Sequence, residues 1–555
     1  MRKLYLLSFL LGNIASIFCQ NVSWQKDFPS DSQNFLSQVS VTLDYEYLIS
    51  GSSIRNSGDS SKNTGYDFHL IKLNQQGNPV WEKFYGGSSH DFLSATTATQ
   101  EGGFLVAGTS FSEQGFDKKS HLFGGSDAWV IKLSENGEEE WQTCIGTPYD
   151  EEIKSVAQTI DLDYFVAGNI EIPEKGFGSK DAWLIKLDKN GNVISQIIFG
   201  GTGLDEVERI IPTKDGGCLI AVYSRSGNAS DLENDTRLRY QELTLEALEL
   251  NKTEKNAQSP LNESDTDFLK IPTQLYAKNS DNFGEGDYWI LKFDKNGRLQ
   301  WQKNFGGTDD DRIRNLGWTE NGYLVLGESR SANSGNKSVD SKDGTDLWLL
   351  ALDENGNERW QKSFSFGNRD VAMSLNPIWN ATHTEAKGFL LGGYTQAEHI
   401  TEHNEETFWM LYLDNKGKEV WRKYVEGSSR KKQERLAEVV MANDGTFILA
   451  GTSTEELGNE NWKIVKLSDH QIEELIEKQD LKIYPNPVEN YCYVEIGLNF
   501  EQAEISIYDM SGRLLQNLKI KNTVTKLDTS KLPQGIYIIT AKTETNHMNA
   551  KILKR

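Results

Sequence analysis

The sequence has few cysteines and prolines, and after its first residues it contains no long apolar segment. Its 555 residues include four cysteines and 11 prolines. Cys19 lies in the leader, and the spacing of Cys144, Cys218 and Cys492 fits neither a disulfide framework nor a zinc site. We expect these three to be buried strand residues. No stretch after the leader approaches the 18 apolar residues of a membrane-spanning helix, so we expect a soluble mature protein.

Catalytic motifs are also missing from the sequence. The eight histidines show no metal-ligand spacing, and we find no nucleophile elbow, phosphate loop or zinc signature. Carboxylate pairs are too numerous to identify a hydrolase pair. These absences favour binding over catalysis.

Acidic side chains dominate the middle of the chain. The net charge is −23, and residues 480–555 hold 10 basic and 8 acidic side chains, or +2. Residues 1–19 give another +2, so residues 20–479 carry 46 basic against 73 acidic side chains, or −27. Such a body would repel nucleic-acid phosphates, but it is compatible with cations and neutral ligands.

The first residues have the pattern of a secretory signal peptide. Arg2 and Lys3 precede a mostly apolar run over 4–18, and cleavage is expected near Cys19 or Gln20. A lipid-modified Cys19 is the alternative, although Phe18 stands where lipid-attachment sites usually have a small residue. We predict a signal peptide over 1–19.

One stretch, Asp287 to Asp311 (DYWILKFDKNGRLQWQKNFGGTDDD), is repeated along the chain. An apolar run, a turn with glycine and a second run of alternating apolar residues predict a β-hairpin. Similar copies begin at four other aspartates and one phenylalanine, namely Asp67, Asp127, Asp181, Asp346 and Phe408.

The copies predict seven units of four strands. A tryptophan in each fourth strand recurs at spacings of 54 to 61 residues, except that Ser195 replaces it once and one spacing is 106. The last unit lacks a fourth strand. A segment with the sequence pattern of a fourth strand occurs instead near the start of the chain, from Trp24 to Phe28. We therefore predict an all-β fold, a seven-bladed β-propeller over 20–468 that the N-terminal strand closes. The tryptophans are Trp24, Trp81, Trp141, Trp301, Trp360 and Trp421.

The repeat resembles propeller families with an Asp-x-x-Gly-x-x-x-Trp signature, including WD-repeat and quinoprotein blades. Quinoprotein enzymes usually need eight blades and specific cofactor contacts, and we see neither here. We expect no cofactor apart from possible calcium.

Loop lengths distinguish the two faces of the predicted propeller. Connections between strands one and two, and between three and four, are short, whereas connections between strands two and three are long, polar and dissimilar. The longest is an acidic insertion over 226–286 in blade 4, with helix-forming composition from Leu238 to Leu250. It is either a tolerated surface insertion or a lid or partner arm. We expect the long-loop face to bind ligands.

An aspartate follows each fourth-strand tryptophan, or its equivalent, by nine or ten residues in five units. A ring of such carboxylates could hold a hard cation such as calcium. Alternatively, each aspartate fixes its turn by accepting backbone N–H bonds. The remaining units have Asn34 and Lys431 at this place. The candidate metal ligands are Asp91, Asp150, Asp205, Asp311 and Asp370.

A different module follows a linker over 469–479. Short alternating strands with glycine and proline turns over 480–555 predict a small Ig-like β-sandwich. The stretches 484–487, 507–514 and 532–537 and the basic tail 551–555 resemble the type A C-terminal sorting domain of the Bacteroidetes type IX secretion system. The motif residues are Tyr484, Pro485, Asn486, Pro487, Gly512, Gly535, Tyr537, Lys554 and Arg555.

This resemblance implies export across the inner membrane by the leader and across the outer membrane through residues 480–555, with the secretion machinery as partner. It implies a secreted or cell-surface location, with the domain commonly removed. We expect a binding protein whose ligand is a glycan or a surface protein. The alternatives are a glycan hydrolase or lyase with carboxylates at the channel mouth, and a structural or adhesive surface protein.

Overall fold

The computed structural model describes residues 21–29, 34–55, 65–172, 176–240, 271–342, 344–382, 384–396, 407–425, 433–442, 444–454, 461–477 and 479–555. The predicted signal peptide, Lys431 and the part of the insertion over 241–270 lie outside these residues. No helix among the described residues is long and apolar enough to cross a membrane.

The described residues before the linker form seven mainly antiparallel sheets, which we number in chain order by their first strand. Sheet 1 contains β2 Phe35–Val41, β3 Tyr47–Ile54, β4 Tyr66–Leu73 and β5 Pro79–Tyr85. Sheet 2 contains β6 Asp91–Ala98, β7 Phe104–Ser110, β8 Asp127–Leu133 and β9 Glu139–Ile145. Sheet 3 contains β10 Asp150–Gln158, β11 Tyr164–Glu171, β12 Asp181–Leu187 and β13 Val193–Gly200, to which β16 Thr273–Ala277 adds a fifth strand.

The other four sheets follow the same order. Sheet 4 contains β14 Leu204–Pro212, β15 Cys218–Arg225, β17 Asp287–Phe293 and β18 Leu299–Phe305. Sheet 5 contains β19 Asp311–Thr319, β20 Gly322–Ser329, β21 Asp346–Asp353 and β22 Glu358–Phe364. Sheet 6 contains β23 Arg369–Trp379, β24 Ala386–Gln396, β25 Thr407–Asp414 and β26 Glu419–Val425. Sheet 7 contains β27 Gln433–Met441, β28 Phe447–Thr454, β29 Asn461–Ser468 and β1 Asn21–Phe28.

Burial explains the composition of the strands. The second and third strands of sheet 2, β7 and β8, are buried along their whole length, whereas β9 is partly exposed. Continuous apolar runs suit strands that are covered on both faces, and charged alternating residues suit an edge. The repeated sequence therefore places apolar strands inside each sheet and a polar strand at its rim.

Five of the six fourth-strand tryptophans pack on a glycine turn of the following sheet. The Trp81 indole N–H donates to the Glu135 carbonyl at 3.0 Å, and a Cβ added to Gly137 would lie 3.1 Å from that ring. Gly137 has a φ of 73°, which glycine tolerates best. The same ring-on-glycine contact joins Trp141 to Gly191, Trp301 to Gly356, Trp360 to Gly417 and Trp24 to Gly77.

Contacts link the sheets in sequence and also link the last to the first. First strands contact one another in the order β2, β6, β10, β14, β19, β23, β27 and β2. Strand β1 pairs with β29, and the Val39 N–H donates to the Glu438 carboxylate at 2.8 Å between sheets 1 and 7. The N-terminal strand thus belongs to the sheet of the last unit and packs against the first.

Part of the insertion joins a sheet. After a 3-10 turn, Ser230–Leu232, and helical residues 233–240, the described chain resumes and β16 pairs in parallel with β13. Strand β13 is the one that carries Ser195 instead of tryptophan. The Gln274 side chain donates to the Asn296 carbonyl at 3.4 Å, in the turn of sheet 4 whose equivalent accepts an indole N–H from Trp24, Trp81 or Trp301 in other sheets. The described part of the insertion is therefore an added strand, not only a surface loop.

The C-terminal module has two sheets that share one hydrophobic cluster. A short helix, His470–Glu473, precedes it. One sheet contains β30 Leu481–Tyr484, β31 Tyr491–Ile496 and β34 Val524–Asp528. The other contains β32 Ala503–Asp509, β33 Leu514–Ile520, β35 Gly535–Lys542 and β36 His547–Lys554.

Candidate binding face

We call the side with the connections between second and third strands the long-loop face, and the side with the tight turns the short-turn face. The long-loop face includes residues 111–126 and the described parts of 226–286 and 330–345. The turns between successive sheets lie on the same face, because each leads into a new first strand. The predicted metal ligands stand at those turns.

Three of the predicted aspartates have the same environment. Asp311 is fully buried, and its Oδ2 accepts the Gly307 N–H at 2.6 Å and the Ser331 hydroxyl at 2.9 Å. Asp91 and Asp205 make the equivalent bonds to Gly87 and Ser112 and to Gly201 and Ser226. Burial raises the pKa of all three, and the hydrogen bonds oppose that effect.

The other two predicted ligands differ from this pattern. Asp370 is also buried and accepts the Phe366 N–H at 2.7 Å, and burial raises its pKa to about 6. Asp150 is exposed, whereas its neighbour Glu151 is buried and accepts the Thr147 N–H at 3.0 Å. The register of sheet 3 makes Glu151 the equivalent of the buried aspartates. In sheet 7 the register places Glu434, not Lys431, at this position.

A buried lysine accompanies the aspartates in three sheets. Lys337 donates to the Ser329 hydroxyl at 2.7 Å, and its charge acts on both Asp311 and Asp346. Lys118 and Lys278 occupy the same place in sheets 2 and 4, where each donates to a serine carbonyl. The three ammonium groups supply positive charge beside the carboxylates without an added cation.

Sheet 3 shows no such lysine among the described residues of its loop, which omit 173–175. Ile170 at the end of β11 and Ile172 and Phe177 in the loop are buried there. Burial raises the pKa of Asp181 to about 7, and it raises the pKa of Glu151 well above its ordinary value. The described residues contain no group of three or more His, Cys, Asp or Glu side chains that could hold a metal ion. The calcium hypothesis stays a prediction, and the geometry gives these carboxylates a turn-fixing role.

The first strands carry a second layer of side chains, one position after the buried carboxylates and the buried amide. The sequence patterns above did not predict this layer. Each first strand carries a β-bulge at the same register position, which bends the strand and re-aims the side chains beside it. The residue directly after the buried carboxylate or amide is aromatic in sheets 1 and 2 and charged in sheets 3 to 5. These residues are Phe35, Phe92, Glu152, Glu206 and Arg312.

The aromatic part of this layer is a cluster of five rings, which we call the aromatic cluster: Phe35, Tyr66, His90, Phe92 and Phe111. Phe92 has its ring centroid 6.1 Å from Phe35, 5.3 Å from Tyr66, 5.9 Å from His90 and 6.2 Å from Phe111. Phe35 is 40% exposed and Phe111 is 41% exposed. Exposed and mutually packed aromatic residues mark interaction surfaces more often than scattered single ones do.

The charged part is a network across sheets 3 to 5. Glu208 accepts from the Arg312 guanidinium at 2.9 and 2.7 Å, and Arg314 donates to Glu328 at 2.8 Å. Arg312 also lies over the Tyr223 ring, 4.9 Å from its centroid. Burial raises the pKa of Glu208, and the two arginines oppose that shift. The network therefore presents paired charges and polar donors in sheets 4 and 5, whereas the aromatic cluster lies in sheets 1 and 2.

A signal for both features exists in the sequence. The residue after the turn carboxylate or amide differs in chemical type between units. A role limited to fixing the turn does not require such differences. The buried lysine follows the spacing Ser-x-Ser-x5-Lys-x8-Asp, as in Ser110, Ser112, Lys118 and Asp127. Ser329, Ser331, Lys337 and Asp346 repeat that spacing in sheet 5.

The motif residues of the C-terminal module lie mainly at its strand ends. Tyr484 ends β30, and the bonds before Pro485 and Pro487 are cis. Asn486 accepts the Leu553 N–H at 2.9 Å, and Tyr537 donates to the Pro533 carbonyl at 2.7 Å. Gly512 lies in the turn after β32, Gly535 begins β35, Lys554 ends β36 and Arg555 donates its N–H to the Val488 carbonyl.

Comparison with known proteins identifies this module. Residues 482–555 match the family described as the secretion system C-terminal sorting domain. The prediction of a sorting domain is confirmed, and the domain indicates secretion to the cell surface through the type IX system. No curated protein matches the chain.

Several solved structures are similar to the chain at low values. A protein of unknown function from Dyadobacter fermentans is 9% identical, covers 81% of this chain and 99% of its own, and has a TM-score of 0.38. An apocarotenoid oxygenase from Synechocystis is 11% identical over 70% of this chain and 74% of its own, with a TM-score of 0.35. A putative gluconolactonase is 9% identical over 68% of this chain and 90% of its own, with a TM-score of 0.29. These values carry no conclusion about this chain.

Proposed function

We propose that the seven sheets are the blades of a β-propeller closed by the N-terminal strand, and that this propeller is an exported binding protein. Three features support the propeller. The first strands contact each other in cyclic order, the fourth-strand rings pack on successive sheets, and β1 completes the last sheet. A ring of sheets protects every inner edge, which is the physical advantage of this architecture.

The aromatic cluster on the long-loop face is the observation that carries the binding function. Exposed rings cost free energy in water unless a ligand covers them. The cluster stands at the start of two first strands, and the same layer of first-strand residues carries the charged network, which can orient a polar ligand. The sorting domain contacts the short-turn face through Glu101 and Glu135, so it leaves the long-loop face accessible.

A neutral glycan is the ligand class that fits best. Flat aromatic rings pack against the apolar faces of sugars, while the paired carboxylates and guanidinium groups of the network can accept and donate hydrogen bonds to hydroxyls. The balanced charges of Glu206, Glu208, Arg312 and Arg314 do not favour a strongly charged ligand. A surface protein is the alternative ligand, and adhesion through the same face is the structural alternative.

The test is a glycan-array and affinity-electrophoresis screen of the secreted chain, with calcium and with chelator. We expect retention by at least one neutral polysaccharide, and a roughly tenfold or greater loss in Phe92→Ala. Phe283→Ala is the matched control, because Phe283 is 44% exposed on another loop. Equal loss in both variants, or no retention by any glycan, would exclude the aromatic cluster as a glycan site. Loss with chelator would support the calcium hypothesis.

Catalysis by carboxylates is the second candidate, because Glu208 is a largely buried acid with a raised pKa beside the exposed layer. Its two bonds from Arg312 give it a structural partner, and Asp311 is committed to its turn. Release of reducing sugar from a retained polysaccharide, lost in Glu208→Gln, would establish a hydrolase. Unchanged polysaccharide after prolonged incubation would leave binding as the function.

A further inference from the structure

The short-turn face carries an unusual set of left-handed residues. In the turn between first and second strands, one residue donates its N–H to a carbonyl three positions earlier and has a positive φ. Sheets 4 and 7 place Gly216 and Gly445 there, with φ values of 82° and 88°. Sheets 1 and 3 place Tyr45 and Leu162 there, with φ values of 64° and 71°. Bulky residues in this region are strained.

The strained residues lie where the sorting domain touches the body. Tyr45 donates its hydroxyl proton to the Glu495 carboxylate, and its ring stacks on Tyr484 with centroids 6.2 Å apart. Leu162 lines a cavity together with Pro485 and Pro487 of the sorting domain. A turn that needs only left-handed backbone would use glycine, so contact with the domain gives a reason for the larger side chains.

Sheet 2 uses the same turn position in the opposite way. Gly102 has a φ of 96°, and a Cβ added to it would lie 1.2 Å from the Tyr491 hydroxyl oxygen. The Tyr491 hydroxyl donates to the Glu101 carbonyl at 2.5 Å. Here glycine leaves room for a tyrosine of the sorting domain, whereas in sheets 1 and 3 a side chain reaches toward that domain.

Charge completes the contact. Glu135 of the body accepts from the Tyr493 hydroxyl and from the Lys526 ammonium group. The same ammonium lies 3.6 Å from the centroid of the Tyr491 ring. The body is strongly acidic and the domain slightly basic, with net charges of −27 and +2, so long-range attraction has the right sign.

We propose that the turns of sheets 1 to 3 are a dedicated docking surface for the sorting domain of the same chain. In the docked state Tyr484 and the two prolines of the sorting motif face the body. Recognition of that motif by another protein then requires the domain to separate from the body. The strained Tyr45 and Leu162 turns store a local cost that the docked contact offsets.

A zero-length carbodiimide cross-link in the intact secreted chain tests this proposal. The reagent joins an ammonium to a carboxylate in contact, and mass spectrometry then identifies the Lys526–Glu135 product. The pair Lys83 and Glu138, 2.7 Å apart within the body, is the internal standard. We expect both products in the wild-type chain.

Two variants make the test specific. Gly102→Ala should lower the Lys526–Glu135 yield about tenfold, because the methyl group displaces Tyr491. Gly216→Ala is the matched control, with the same turn position but no added-Cβ contact closer than 3.4 Å. It should leave the yield unchanged.

Tyr45→Gly provides a second, independent readout. It should lower the Lys526–Glu135 yield while leaving or raising the thermal midpoint of the body, since glycine relieves the left-handed strain. A residue with only a local structural role would lower the midpoint without changing the yield. Absence of the Lys526–Glu135 product in the wild-type chain, or its full retention in Gly102→Ala, would overturn the proposal.

Discussion

Contacts between single residues explain why the same sequence pattern recurs in the units. In five sheets the glycine of the turn between third and fourth strands admits the tryptophan of the previous sheet, so the two residues form one contact although they lie 50 to 57 residues apart. Sheet 1 has a different pair of residues at a second contact between its third and fourth strands. His69 and Glu82, 2.7 Å apart, stand where Trp129 and Gln142 are hydrogen-bonded in sheet 2.

The tryptophan-on-glycine contact predicts a specific stability loss. Gly356 has a φ of 76°, and an added Cβ would lie 2.8 Å from Trp301. Gly356→Ala therefore introduces both backbone strain and overpacking, and we expect it to lower the free energy of unfolding by about 3 kcal/mol. Gly216→Ala introduces mainly backbone strain, and we expect it to lower the free energy of unfolding by about 1 kcal/mol. Urea titration followed by tryptophan fluorescence measures both, and equal losses would contradict the contact.

Glu438 predicts a pH dependence at the contact between sheets 7 and 1. Burial raises its pKa to about 7, so between about pH 4.5 and 7 the folded chain holds a proton that the unfolded chain releases. Its contribution to stability is therefore present at low pH and is lost as pH rises through 7. Glu438→Gln should reduce the loss of stability between pH 4.5 and 8 by about 2 kcal/mol.

An exposed acid gives the contrasting control for this pH experiment. The hydrogen bond from Lys387 lowers the pKa of Glu477, so that pair contributes stability at high pH and loses it as pH falls. Glu477→Gln should therefore change the profile in the opposite sense and only slightly. An unchanged profile in Glu438→Gln would show that this carboxyl titrates normally in the folded chain.

At the scale of elements, strand β13 shows why one repeat departs from the others. Its sequence, VISQIIFG, lacks the charges that the other fourth strands carry, and its Ile194 is 42% exposed. An uncharged edge strand tends to pair with other chains unless something covers it. The inserted strand β16 covers it, with Leu275 and Ala277 buried.

Removal of the insertion tests this role. Joining Ser226 to Lys278 by five residues copies the spacing of Ser112 and Lys118 and keeps the lysine network. We expect the shortened chain to lose about 2 kcal/mol of stability and to self-associate in size-exclusion chromatography, because β13 loses its cover. Adding Ser195→Trp should restore part of the loss through the Gly297 turn. A monomeric shortened chain with an unchanged thermal midpoint would refute the covering role.

Comparison of these elements shows what the sequence can predict. The four-strand units, the membership of Trp24–Phe28 in the last unit and the sorting domain depend on local patterns that recur or match in order, so they could be read directly. The pairing of β16 with β13 and the aromatic cluster depend on register and on contacts between distant segments. Glu151 follows Trp141 by ten residues, the same count as in the other units, and the prediction missed it by choosing the acidic residue one position earlier.

At the scale of the whole molecule, docking couples the stability of two parts of unequal size. A domain of about 75 residues has a small core and gains stability from any contact that exists only in its folded state. The body supplies such a contact at Glu101 and Glu135. The docked domain should therefore unfold at a higher temperature than the same domain when it is held away from the body.

Calorimetry of the intact chain checks this expectation with the variants that separate docking from turn strain. In Gly102→Ala we expect a small transition from residues 480–555 at least about 5 °C below its wild-type position, together with the body transition. In Gly216→Ala the body transition should fall while the domain transition stays in place. A domain transition that is identical in all three chains would mean that the two parts unfold independently. Since the motif residues Tyr484 to Pro487 lie within the contact, a coupled transition would also show that the motif and the body form one cooperative folding unit while they are docked.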